Sequence, residues 1–185
     1  MRRVLVILIL PVLLGSCAVH VDQDPSHTTP TTSRAERAHI LQRQVDLKPD
    51  IPRRFYSRRV GSAQVVPIAL VGDTLVPPAD PSVLGWWGRE VGAKHGRTLL
   101  FGHTVHTGGG LLNDLHEKAP VGASMVVSGH VYHVVSNRDL SKLKVAQMAP
   151  RLFSQTGPHR LVVVTCDGYN PVTGHYRSNT VVVAK

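Results

Sequence analysis

Three residues that could carry out acyl transfer stand at the ends of apolar runs in the second half of the chain. His103 follows one such run, Cys166 ends a valine-rich run, and Arg177 precedes the last apolar run. A strand fixes the backbone of such a residue, and the adjoining turn leaves room for a substrate. The pattern predicts that Cys166, His103 and Arg177 form a catalytic site.

The chemistry that these residue types favour is acyl transfer through a thioester. A Cys166 thiolate is a nucleophile, and a neighbouring arginine or imidazolium favours the ionised thiol. His103 can protonate the departing amine and then deprotonate the incoming one. Arg177 stays protonated, so we expect its planar fork of donors to hold the substrate carbonyl or the oxyanion.

Each of the three residues also has an ordinary structural interpretation. The chain contains 11 histidines, so a single one is a weak signal. Cys166 could fill the core, and Arg177 could be a surface charge. His106 and His175 are rival bases. It is the order His, Cys, Arg at strand ends that favours catalysis.

The sequence predicts neither a metal nor a cofactor. His95, His103 and His106 lack the accompanying carboxylates or thiolates of a zinc site. The segment 108–110 is Gly-Gly-Gly, but no Lys-Ser/Thr pair follows it as in a phosphate-binding loop. We interpret it as a flexible flap beside the site.

The formal net charge of +9 is concentrated outside the region that holds the catalytic candidates. Residues 34–59 contain eight basic and three acidic side chains, whereas residues 60–185 contain eleven and seven. A basic segment near an N-terminal leader is more typical of contact with anionic lipid or wall polymer than with nucleic acid. Aromatic residues are 5% of the chain, which disfavours a stacking surface for single strands. We predict no nucleic-acid partner.

The first 21 residues have the features of an export leader. Arg2 and Arg3 precede the apolar stretch Val4–Leu14, which as a helix spans roughly 16 Å against a hydrocarbon core of about 30 Å. The sequence Leu-Gly-Ser-Cys at 14–17 matches a bacterial lipobox, in which Cys17 would be lipidated. An uncleaved signal anchor is the alternative. Either leader predicts a domain tethered to the outer face of the cell membrane.

The rest of the chain divides into three parts. Residues 22–33 are predicted to be a polar Thr/Pro linker, and residues 34–59 a basic helical or juxtamembrane segment that opens with a capping box. Residues 60–185 consist of short apolar runs separated by Gly, Pro and Asn/Asp, with a tight turn predicted at Ser128-Gly129. The predicted strands are Ala63–Leu70, Thr74–Val76, Thr98–Phe101, Ser124–Val127, Val131–Val135, Arg160–Thr165 and Thr180–Ala184.

Two short helices are predicted among these strands, at Leu111–Lys118 and Ala146–Phe153. The strands do not alternate with helices as in a βαβ fold. We therefore expect residues 60–185 to form a mainly β domain, a closed or nearly closed barrel with short helical insertions.

These features resemble the sortases, and most closely their class E/F branches, with class F the nearest. The resemblance covers roughly residues 63–184. It rests on three motifs, with weaker support from Val66-Pro67-Ile68, Leu75-Val76-Pro77 and Gly85-Trp86-Trp87. The three motifs are Leu100-Phe-Gly-His103-Thr104, Leu161-Val-Val-Val-Thr165-Cys166-Asp167-Gly168, and Thr173-Gly-His-Tyr-Arg177-Ser-Asn-Thr-Val-Val.

The resemblance implies a closed β-barrel of about eight strands and a cysteine transpeptidase. Such an enzyme cleaves an LPxTG-like sorting signal after Thr and joins the new carboxyl group to a cell-wall amine. Cys166 would be the nucleophile, His103 the acid/base and Arg177 the ligand of substrate and oxyanion. The implied substrate-binding residues are Thr104, Thr165, Asp167 and Gly168.

The same resemblance implies the partners. They are secreted proteins with a C-terminal sorting signal, the amine of a peptidoglycan precursor, and the membrane surface through the N-terminus. Two features depart from the family pattern. A lipobox leader is less usual than an uncleaved anchor, and Asp167 stands where a small residue is expected. Its carboxylate would oppose thiolate formation if it lay close to the sulfur.

Two other functions stay open from the sequence. One is a thiol peptidase that only hydrolyses its thioester, although papain-like folds place Cys before His and here His103 precedes Cys166. The other is a non-catalytic exported lipoprotein β-domain that binds wall polymer or a partner.

Overall fold

The computed structural model describes residues 50–71 and 74–185. The predicted leader with Cys17, the linker and the capping-box helix lie outside the described residues. No helix within the described part of the chain has the length and apolar character that crossing a membrane requires.

Eight strands close into one barrel, in the order β1-β2-β5-β6-β9-β10-β8-β7, and β3 and β4 pair separately as a small hairpin. This confirms the predicted mainly β fold with a closed barrel of about eight strands. The helices are α1 (Leu115–Lys118) and α2 (Lys142–Leu152). The strands are β1 (Arg54–Ser57), β2 (Gly61–Pro67), β3 (Leu70–Val71), β4 (Thr74–Leu75), β5 (Leu84–Gly88), β6 (Arg97–Phe101), β7 (Ser124–Val127), β8 (His130–Ser141), β9 (Arg160–Asn170) and β10 (His175–Ala184).

Strand β9 is central to the barrel. It runs parallel to β6 on one side and antiparallel to β10 on the other. Its residues 161–165 are all buried, because one set of side chains enters the barrel while the alternate set is covered from outside. A run of valines suits such a strand, since β-branched side chains pack well on both faces of a pleated sheet.

The two faces of β9 belong to two separate apolar clusters. Leu161 and Val163 belong to the cluster that fills the barrel. Val162 and Val164 belong to a second cluster, which packs the outer face of the sheet against α2. Ser141 is the N-cap of α2, and its side chain accepts a hydrogen bond from the Lys144 backbone N–H at 3.2 Å.

Several boundaries differ from those predicted. The barrel begins with β1, within the segment 34–59 that we expected to be helical, and Phe55 of this strand is buried. Strands β8, β9 and β10 are longer than predicted. Only the last turn of the predicted helix 111–118 is helical, and α2 begins before the predicted residue 146. The turn at Ser128-Gly129 is confirmed, with positive φ at both residues.

Candidate functional site

Cys166 lies on the outer face of the barrel, just beyond the buried part of β9, and its side chain is half-buried. Successive strand residues face opposite sides, and the inner face is taken by Val163 and Thr165. Cys166 therefore shares its face with Val164. The sequence could not fix this face, because the residues before Cys166 are apolar on both sides of the strand.

His103 follows β6 beside the strand that carries Cys166. Phe101, at the end of β6, pairs with Val164 in parallel register. His103 lies two residues beyond this pair, in the loop that follows β6. Both of its neighbours bond to β9: the Gly102 backbone N–H donates to the Val164 carbonyl at 3.3 Å, and the Thr104 hydroxyl donates to the Cys166 carbonyl at 2.5 Å.

The antiparallel strand β10 contributes the other side of the site. Asn179 pairs directly with Cys166, and its Nδ2 lies 3.9 Å from the Cys166 Sγ and 3.1 Å from the Thr165 carbonyl oxygen. Arg177 is two residues along β10 from Asn179, so it lies on the same face, next to the left-handed Gly168 (φ 66°). Within the described residues, the Arg177 guanidinium and the His103 ring make no hydrogen bond or ion pair.

A cluster of hydroxyl groups joins the loop after β6 to β9. The hydroxyls of Thr104 and Thr165 lie 2.7 Å apart, and the Thr165 hydroxyl donates to the Gly102 carbonyl at 2.9 Å. Thr165 is buried, with 3% of its surface exposed. Because buried hydroxyls need partners, these bonds fix the backbone on either side of His103.

All four predicted substrate-binding residues line one cleft together with Cys166. The cleft has a volume of about 340 Å³, and Thr104, Thr165, Asp167 and Gly168 form one wall of it. Helix α1 and the loop before it form the opposite wall. His103 and Arg177 do not line this cleft. The structure thus brings Cys166 together with the four predicted substrate-binding residues, and it leaves His103 and Arg177 outside the cleft.

Two tyrosines that the sequence analysis did not single out border the same cleft. The Tyr176 hydroxyl donates to the Thr104 carbonyl at 2.8 Å, and the Tyr169 ring packs on the Tyr176 ring at 5.2 Å between centroids. Burial raises the pKa of Tyr176 above its usual value of 10.0, and the nearby Cys166 and Tyr169 act in the same direction. Tyr176 thus stays a hydrogen-bond donor and holds Thr104 in place.

The rival bases separate in the structure. His106 lines the cleft and stacks on Tyr169, with ring centroids 4.2 Å apart and planes at 5°. His175 pairs with Asn170 at the far end of β10, four residues from the position opposite Cys166, and is exposed. Within the described residues, His106 is therefore the better placed of the two.

The carboxylate of Asp167 does not share the face of the Cys166 sulfur. Asp167 follows Cys166 on the strand and pairs with Ser178, whose hydroxyl donates to its Oδ2 at 3.3 Å. Adjacent strand residues point to opposite faces. The carboxylate and the sulfur therefore lie on opposite strand faces, whereas opposition to thiolate formation would require them side by side.

The glycine segment 108–110 is tied to α1 by one side chain. The Asn113 amide accepts from the Val105 backbone N–H at 3.0 Å and donates to the Val105 and Gly108 carbonyls at 3.0 and 3.4 Å.

In the described part of the chain, no three His, Cys, Asp or Glu side chains are placed to hold a metal ion.

Several solved structures have a fold similar to that of this chain. The chain is similar to the sortase SrtA from Actinomyces oris (TM-score 0.53, 13% identity, 77% of this chain and 83% of that one). It is also similar to Streptococcus agalactiae sortase C1 in its complex with MTSET (TM-score 0.54, 16% identity, 88% and 79%) and to sortase A of Listeria monocytogenes (TM-score 0.52, 13% identity, 74% and 87%). No protein-family model and no curated protein matches the chain. At these identities the comparison shows that the chain has the sortase fold.

Proposed function

We propose that this protein is an extracytoplasmic cysteine transpeptidase of the sortase type, with a sorting-signal peptide as acyl donor and a cell-wall amine as acceptor. The observation that supports the proposal is the adjacency of three strands in the barrel. β9 contributes Cys166, the end of its parallel neighbour β6 leads to His103, and its antiparallel neighbour β10 contributes Arg177. Because the sequence motifs resemble those of class E/F sortases, we assign the protein to that branch of the family as part of the proposal.

The first half-reaction forms a thioester. The Cys166 thiolate attacks the carbonyl carbon of the scissile amide, and the carbonyl electrons move to oxygen. Arg177 is the donor that holds this oxyanion. When the oxyanion collapses, the C–N bond breaks and His103 gives its proton to the leaving amine.

The second half-reaction transfers the acyl group. The acceptor amine attacks the thioester carbonyl, His103 takes the proton from the nitrogen, and the C–S bond breaks to return the Cys166 thiolate. Water in place of the amine gives hydrolysis instead. The LPxTG-like signal would bind along the cleft walled by Thr104, Thr165, Asp167 and Gly168.

The test is detection of the acyl-enzyme by intact mass. The full-length protein in detergent is incubated with a panel of sorting-signal peptides, and we expect a covalent adduct on wild-type protein and none on Cys166→Ala. Addition of a glycine-based amine should convert the adduct to a ligated peptide. An adduct that only hydrolyses identifies a thiol peptidase. If no peptide forms an adduct and Cys166 resists alkylation in the folded protein, the chain is a binding domain and the proposal is wrong.

We also propose that the N-terminal part of the chain tethers the protein to the membrane. Residues 1–21 as leader, with Cys17 as lipidation site, and the basic segment 34–59 would hold the barrel at the outer membrane face. Cys17→Ser should then misprocess or release the protein, whereas an uncleaved signal anchor predicts no change.

A further inference from the structure

A second cavity, of about 380 Å³, lies between α2 and the outer face of the barrel. Residues 60–185 contain six arginines, and four of them line this cavity: Arg97, Arg138, Arg151 and Arg160. They come from β6, β8, α2 and β9, so the closed barrel and the packing of α2 bring them together from distant parts of the sequence.

The four guanidinium groups have no acidic partner among the described residues. No carboxylate lines the cavity, and neither of the two ion pairs in this part of the chain involves an arginine. The nearest acidic residue in sequence, Asp139, is bonded elsewhere: it accepts from the Thr180 hydroxyl at 2.7 Å and pairs with His116 at 2.8 Å. The cavity therefore concentrates positive charge that the protein itself does not neutralise.

Two of the arginines are held in place by backbone carbonyl groups. Arg97 donates to the carbonyls of Pro158 and Gly96, and Arg160 donates to the carbonyl of His159 at 2.6 Å. Burial lowers the pKa of Arg97 from its usual value, and the charges of Arg160 and Arg151 act in the same direction. These like charges are near enough to repel one another, and a bound anion would relieve that repulsion.

The floor of the cavity is apolar. The outward side chains of β8, β9 and β10, together with those of α2, supply Leu140, Met148, Leu152, Val162, Val181 and Val183. Part of this apolar lining is exposed: Val135 is 40% exposed, and Leu140, Met148 and Val183 are only partly buried. A small inorganic anion would leave that surface uncovered, whereas a ligand with an apolar portion would cover it and gain from its burial.

We propose that this cavity binds an organic phosphate that carries an apolar group, with the phosphate on the four arginines and the apolar group on the valine floor. Arginine suits a phosphate because its planar fork donates two parallel hydrogen bonds to phosphate oxygens. The inference does not depend on acyl transfer. The cavity is on the same face as Cys166: Val181, in its floor, is two residues from Asn179, or about 7 Å along β10.

Calorimetric titration of the full-length protein in phosphatidylcholine nanodiscs tests the inference. The probes are hexyl phosphate, inorganic phosphate and hexanol. We expect hexyl phosphate to bind more tightly than inorganic phosphate by on the order of tenfold, with an affinity that falls as salt is added. Hexanol should bind weakly or not at all. Discs that also contain phosphatidic acid distinguish the two sources of such a phosphate: loss of hexyl phosphate binding indicates a lipid head group, and unchanged binding a soluble ligand.

A pair of variants with equal charge change provides the control. Arg138→Gln/Arg151→Gln removes two exposed arginines of the cavity, and Arg58→Gln/Arg59→Gln removes two exposed arginines of the turn between β1 and β2. We expect the first pair to weaken hexyl phosphate binding by about tenfold or more, and the second pair to leave it within about twofold. Equal weakening in both pairs, or hexyl phosphate binding no tighter than hexanol, would overturn the inference.

Discussion

At the scale of single residues, the position directly opposite the thiol is held by an amide and not by the arginine. Asn179 pairs with Cys166, and Arg177 lies one pleat further along β10. The sequence indicated Arg177, because a cation near a nucleophilic cysteine has an evident chemical role. Asn179 gave no such signal, since a polar residue near the start of a strand is common and the register that places it was not available.

Substitution of Arg177 separates its charge from its geometry. If the planar fork holds the oxyanion, Arg177→Lys and Arg177→Ala should both lose about 2.7–4 kcal/mol of transition-state stabilisation, or roughly 10²–10³ in the acylation rate. The rate is measured as acyl-enzyme formation by quenched-flow mass spectrometry. Near-wild-type acylation by Arg177→Ala would reduce Arg177 to a surface charge, and recovery of activity in Arg177→Lys would assign it a purely electrostatic role.

Asn179 offers a test of its own. Asn179→Asp is nearly isosteric but places a carboxylate opposite the sulfur, which disfavours the thiolate. We expect alkylation of Cys166 by iodoacetamide at neutral pH to slow by on the order of tenfold, and Asn179→Ala to slow it less. Asn170→Asp is the control, because it makes the same change at the far end of β9 and keeps the oxygen that accepts from the Val172 backbone N–H at 2.9 Å. Equal alkylation rates in Asn179→Asp and wild type would mean that the amide does not influence the sulfur.

At the scale of elements, the strands with a continuous apolar run were predictable, whereas their polar extensions and the strands β1 and β5 were not. The apolar runs of β6 and β7 are found where the sequence placed them. Strand β8 was predicted to end at Val135, because the residues from Ser136 to Asp139 are polar. The barrel continues through them, since backbone hydrogen bonds to β10 do not depend on an apolar side chain. The pairing of β1 with β7, which joins distant parts of the chain, leaves no pattern in the sequence at all.

Substitution of Thr165 tests whether the hydroxyl cluster holds the loop after β6 against β9. Thr165→Val keeps the shape but removes the hydrogen bond to Gly102 and the contact with Thr104, so we expect a loss of about 1–3 kcal/mol in the free energy of unfolding. The loop that carries His103 should also become less ordered, and we expect acylation to be slower as a result. Thr98→Val is the matched control, because Thr98 is equally buried, yet it does not line the cleft and its hydroxyl bonds to the carbonyls of Arg89 and Glu90. A slower acylation in both variants alike would make the effect a general loss of stability.

At the scale of the whole molecule, the outer face of β9 and β10 holds two features of interest. Cys166 and Arg177 lie on this face, and the arginine-lined cavity under α2 lies further along the same two strands. The opposite end of the barrel holds another polar group, in which the Tyr132 hydroxyl lies 3.0 Å from His159 Nε2 and accepts from the Gly92 backbone N–H at 3.0 Å. Burial raises the pKa of Tyr132 to about 12, so this hydroxyl remains protonated.

His159 in this group should make stability depend on pH. Burial lowers its pKa from the usual 6.5, and the charges of Arg97, His130 and Arg160 act in the same direction, whereas the nearby His95 backbone acts in the opposite one. The unfolded chain therefore binds the proton more tightly, so the free energy of unfolding falls as pH drops below about 6.5 and levels off below the folded-state pKa. The slope should stay under about 1.4 kcal/mol per pH unit, because the unfolded chain binds at most one more proton at this imidazole. Denaturant unfolding of His159→Gln and wild type between about pH 7.5 and about pH 5.5 measures it. His175→Gln controls for loss of an exposed imidazole, and parallel curves for His159→Gln and wild type would contradict the assignment.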